Sequence, residues 1–75
     1  MTMKTDRVHA AGMAAEEANQ SVFDAVYAAL KAEGVRPEWA LGIAKEYQFM
    51  LLKGYWYSSG AIPARKLLAR FFGEN

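Results

Sequence analysis

The chain has no cysteine, one histidine, two prolines and a net charge of only +1. Without cysteine there is no disulfide framework and no thiolate metal site, which points to a reducing compartment. With His9 alone there is no paired-histidine site. Glu16 and Glu17 are adjacent, so a helix turns them to different sides rather than into a matched acid and base. Walker loops, G-x-G-x-x-G and metal-ligand spacings are all missing. These absences argue against an enzyme, a cofactor or a small-molecule substrate. No stretch approaches the roughly 18 apolar residues of a membrane span, and the N-terminus lacks the apolar run of a signal peptide, about 7 to 15 residues long. The expectation is a cytoplasmic protein without a membrane role.

What is present is apolar and helical in style. Seventy-five residues without an internal repeat make one small domain, and 53% hydrophobic residues suffice for a single core. Residues 1–34 carry Lys4, Arg7 and Lys31 against Asp6, Glu16, Glu17, Asp24 and Glu33, net −2. Residues 35–75 carry Arg36, Lys45, Lys53, Arg65, Lys66 and Arg70 against Glu38, Glu46 and Glu74, net +3. That split is compatible with nucleic acid or an acidic protein surface, but it is no strongly basic stripe.

Taken in order, residues 1–18 are alanine-rich, interrupted by Gly12, and hold only Val8 and the methionines as larger apolar groups. They read as a flexible N-terminal arm, with Asp6, Arg7, Val8 and His9 as a contact set that orders on a partner. A single helical domain is expected over residues 19–75. Ser21 followed by Asp24 forms a capping-box start, and Val22, Phe23, Val26, Tyr27 and Leu30 make one apolar stripe. Gly34 ends that helix and Pro37 opens the next. The segment from Pro37 to Lys53 reads as two short helices broken near Gly42, with one long helix as the alternative, and Trp39, Tyr47 and Phe49 are expected in the core. Pro63 opens a last helix in which Leu67, Leu68, Phe71 and Phe72 face inward and Arg65, Lys66 and Arg70 outward, until Gly73 ends it. The fold class is therefore all-α, a small bundle of three to four short helices.

Between Gly54 and Gly60 lie three consecutive rings, Tyr55, Trp56 and Tyr57, which neither a helix nor a strand can turn onto one buried face. At least one is expected to meet a partner, because Trp and Tyr concentrate binding energy at interfaces. Lys53, Arg65, Lys66 and Arg70 would supply cations beside them. Rings next to cations also suit single-stranded RNA.

Two resemblances follow from these residues. Leu41-Gly42-Ile43-Ala44 resembles the turn opening the recognition helix of lambda-repressor-like helix-turn-helix domains. Gly54 resembles its end and Ile62 to Gly73 its closing helix. Gln48, Phe49 and Met50 depart from that family where it buries an apolar group or offers polar groups to base edges. The whole chain also resembles the small Xanthomonas-phage-encoded type of regulator that binds host RNA polymerase. That likeness rests on length, alanine-rich style, the opening Lys4-Thr5-Asp6-Arg7-Val8-His9 and the helical remainder. It implies a phage protein acting in the host cytoplasm, with the catalytic subunits of bacterial RNA polymerase as partner. Inhibition of initiation through loss of the initiation factor, and antitermination, are the implied activities; a helix-turn-helix DNA-binding repressor is the alternative.

Overall fold

Small side chains, more than large ones, decide how these helices come together. The computed structural model describes residues 3–53 and 60–74, among which four helices and no strands are found. They are α1 (Lys4–Glu17), α2 (Val22–Ala32), α3 (Pro37–Lys53) and α4 (Ala61–Phe72). Each packs on its neighbour in sequence, and α1 closes on α4, so the four form a ring around one core.

The expected flexible arm is instead helix α1. Alanine is the strongest helix former, which favours the segment locally. Thr5, Val8, Gly12 and Ala15 recur every three or four residues and are all buried. The stripe is narrow in volume, yet it lets α1 lie close against the core. At Gly12 the reason is visible, since a Cβ there would sit 2.5 Å from Cε1 of Tyr47. The glycine that reads as a break is the slot for a fully buried tyrosine ring.

The ends of α2 follow the sequence signals. Ser21 Oγ accepts the N–H of Asp24 at 3.2 Å. Gly34, at φ +89°, sits in the left-handed region, and the N–H of Val35 returns to the carbonyl of Leu30 at 3.0 Å. Pro37 opens α3, where its missing N–H costs nothing.

α3 is unbroken across Gly42, contrary to the expected division, and a turn at Leu41 to Ala44 of the helix-turn-helix kind is absent. An exposed mid-helix glycine costs only about 1 kcal/mol against alanine, less than the packing of the helix provides. Its buried stripe is Ala40, Ala44, Tyr47 and Leu51. Trp39 and Phe49, expected in the core, lie off that stripe and are 52% and 64% exposed, whereas Tyr47 is buried as expected.

At the start of α4, Gly60 is buried against the backbone of Met50 and Leu51, where any Cβ would collide with the Leu51 carbonyl. Pro63 occupies the first turn and Gly73, at φ +69°, caps the end. Leu68 is fully buried and Leu67 and Phe72 partly so, while Phe71 remains exposed rather than inward.

Candidate functional site

The four residues expected to form an adaptable arm have separate places on α1. Val8 is in the core. Asp6 accepts a hydrogen bond from Arg65 Nη2 at 2.9 Å, tying α1 to α4. Arg7 grips Glu33 with two donors, at 2.6 and 2.9 Å, tying α1 to the end of α2. That bidentate contact holds the Glu33 carboxylate below its usual pKa. His9 meets the Tyr47 hydroxyl through Nδ1 at 2.8 Å, and the same hydroxyl lies 3.2 Å from the His9 carbonyl, to which it donates. Burial first, and then the charge of Arg65, lower the His9 pKa. Arg65, expected outward, is half-buried and committed to Asp6. These groups hold the ring of helices closed.

A further tie went unread in the sequence. The Glu74 carboxylate accepts both the backbone N–H of Thr5, at 2.8 Å, and its hydroxyl, at 2.7 Å. It thus serves as the missing N-cap of α1, where Met3 offers no side-chain acceptor. Those two hydrogen bonds lower the Glu74 pKa. No local pattern announces a cap 69 residues away.

Of the remaining expected contact residues, Lys53, Lys66 and Arg70 are exposed. Lys66 and Arg70 follow Ile62 at four-residue intervals on the outer face of α4. Tyr55, Trp56 and Tyr57 lie outside the described residues.

The aromatic feature that the structure does display is a different one. Trp39 of α3 and Phe71 of α4 bring their ring centroids within 6.3 Å, and Phe72 stands edge-on to Phe71 at 5.2 Å. With Val35 they wall an open cleft of about 370 Å³, whose lip carries Lys4, Arg36 and Glu33. Glu33 is already engaged by Arg7, and Arg36 touches Glu38 only loosely, at 3.9 Å between two exposed side chains. The cleft thus offers two half-open aromatic faces beside two cations.

No protein-family model, curated protein or solved structure matches this chain. Among the described residues no group of three or more His, Cys, Asp or Glu side chains is placed to hold a metal ion. No described helix is long and apolar enough to cross a membrane. The sequence signal for the cleft was Trp39, two positions after a helix-opening proline, together with Phe71 and Phe72 just before the terminating Gly73. Assigning those rings to the core concealed it.

Proposed function

We propose that this protein is a helical interaction module that binds bacterial RNA polymerase through its catalytic subunits, inhibiting initiation by loss of the initiation factor and acting as an antiterminator. The exposed Trp39–Phe71 pair beside Lys4 and Arg36 is the observation that supports a protein partner. Large rings that stay half in water gain most when a partner desolvates them. The choice of polymerase rests on the likeness of the whole chain to small phage regulators. Purified polymerase should be retained by the immobilised protein at micromolar concentration, and promoter transcription should fall when it is added. Trp39→Ala should weaken both effects about tenfold or more while the fold persists. No association, with transcription unchanged, would refute the proposal.

The second reading is a DNA-binding repressor. The four-residue connection 33–36 between α2 and α3 has the length of a helix-turn-helix turn, which is the observation that favours this reading. It requires duplex binding that weakens steeply with salt and drops on neutralising Lys66 and Arg70. The outward face of α3 speaks against it, because Leu41, Phe49 and Leu52 offer no hydrogen bonds to base edges.

A further inference from the structure

Helix α3 carries two stripes of the same spacing. The buried one, Ala40, Ala44, Tyr47 and Leu51, steps by four, three and four residues and packs into the core. One residue later, Leu41, Lys45, Gln48 and Leu52 repeat the same steps, turned by about 100° around the axis. This interval brings side chains into one seam along a helix. The second seam spans about 16 Å between its leucines, which with Phe49 at its edge are among the most exposed large apolar side chains described. Lys45, Gln48, Phe49, Leu52 and Lys53 line an open groove of about 370 Å³ along it.

We infer that this seam of α3 docks an acidic amphipathic helix of a partner protein, at a surface separate from the Trp39 cleft. The charge of the groove selects the occupant. Both cations that line it, Lys45 and Lys53, are exposed, and neither is in an ion pair among the described residues. Within the helix, Lys45 has Leu41, Gly42, Gln48 and Phe49 at the neighbouring positions, and Lys53 has Phe49 and Met50, so no carboxylate is one turn away. A partner helix with apolar groups on Leu41, Phe49 and Leu52, and carboxylates over Lys45 and Lys53, completes both the apolar and the electrostatic pattern.

A second copy of this chain fits less well. In a parallel pairing Lys45 faces its own counterpart. In an antiparallel pairing centred on the seam, the two Lys45 side chains lie on the same edge, about 4.5 Å apart along the axis. Either arrangement brings the two Lys45 side chains together, and neither places a carboxylate over Lys53 as an acidic helix does.

The test uses the full chain and two capped peptides of about 15 residues, long enough for four helical turns. Each has leucines at the four-three-four spacing; one carries glutamates at the flanking positions and the other lysines. Backbone amide shifts should move along residues 41–53 with the acidic peptide, and the basic peptide should bind at least about tenfold more weakly. The double variant Lys45→Glu, Lys53→Glu should reverse that preference. Phe49→Ser should weaken binding while leaving the Tm unchanged, because the ring is outside the core. Equal binding of the two peptides, shifts confined to the Trp39 cleft, or no shifts at millimolar peptide would each overturn the inference. So would a dimer in sedimentation that Phe49→Ser dissociates, since that would give the seam to a second copy. None of these outcomes depends on polymerase binding.

Discussion

Helices α1 and α3 invert the usual expectation about which side chains a fold uses. α1 is poor in large apolar groups, yet Thr5, Asp6, Arg7, Val8 and His9 each meet another part of the bundle. α3 is rich in large apolar groups, yet Trp39, Leu41, Phe49 and Leu52 face outward while alanines fill much of its inner stripe. Angular position around the helix decides burial, and side-chain size does not. A ring one position off the stripe is turned about 100° away from it. The helix with few large apolar groups is therefore tied firmly into the bundle, and the helix rich in them has side chains to spare for partners.

The sharpest way to break this contrast is to truncate one leucine inside and one outside. Leu68→Ala, in the core, should cost about 2 to 5 kcal/mol in chemical denaturation. Leu52→Ala, on the seam of α3, should cost less than about 1 kcal/mol. Similar losses would mean that the seam is structural.

The two mid-helix glycines give a test of opposite signs. Gly42→Ala should stabilise by about 0.5 to 1 kcal/mol, because nothing lies within 4 Å of the added methyl group. Gly12→Ala gains the same local term but drives a methyl into the Tyr47 ring, so it should be destabilising by about 1 to 3 kcal/mol. Thermal melts of the two variants should move in opposite directions.

The smallest expected effect concerns pH. The folded protein favours neutral His9, so the unfolded chain takes up that proton first as pH falls. The contribution is complete above about pH 6.5, the ordinary histidine value, and is lost as pH drops below it. A second loss follows in the carboxylate range, where Glu33 and Glu74, held low by Arg7 and Thr5, become protonated. His9→Gln keeps a hydrogen-bonding group near Tyr47 but does not titrate. Melts between about pH 7 and 5 should be flatter for that variant than for the native chain.

Much of the fold was legible wherever the signal was local. Ser21, Gly34, Pro37 and Gly73 marked helix ends because capping and left-handed backbone depend on one residue and its near neighbours. α1 was not legible, because a stripe of Thr5, Val8, Gly12 and Ala15 becomes favourable only against α2, α4 and the Tyr47 ring, contacts that sequence spacing does not reveal. The same limit applies to the candidate surfaces. Lys66 and Arg70 were read correctly as outward, whereas Arg65, their neighbour, meets Asp6 across 59 positions. The Trp39 cleft exists only because α3 and α4 bring residues 39 and 71 together.

The clasp between Thr5 and Glu74 also bears on how the molecule assembles. It joins residues 69 positions apart, so closing it carries a large loop entropy cost when it precedes the intervening helices. The α1–α2, α2–α3 and α3–α4 neighbours have short separations and are suited to forming first. The contact of α1 with α4 then closes last, and the first turn of α1 lacks its cap until residue 74 has been synthesised and has found it. During translation α1 packs on α2 early, but the first turn of α1 must wait uncapped for nearly the whole described chain.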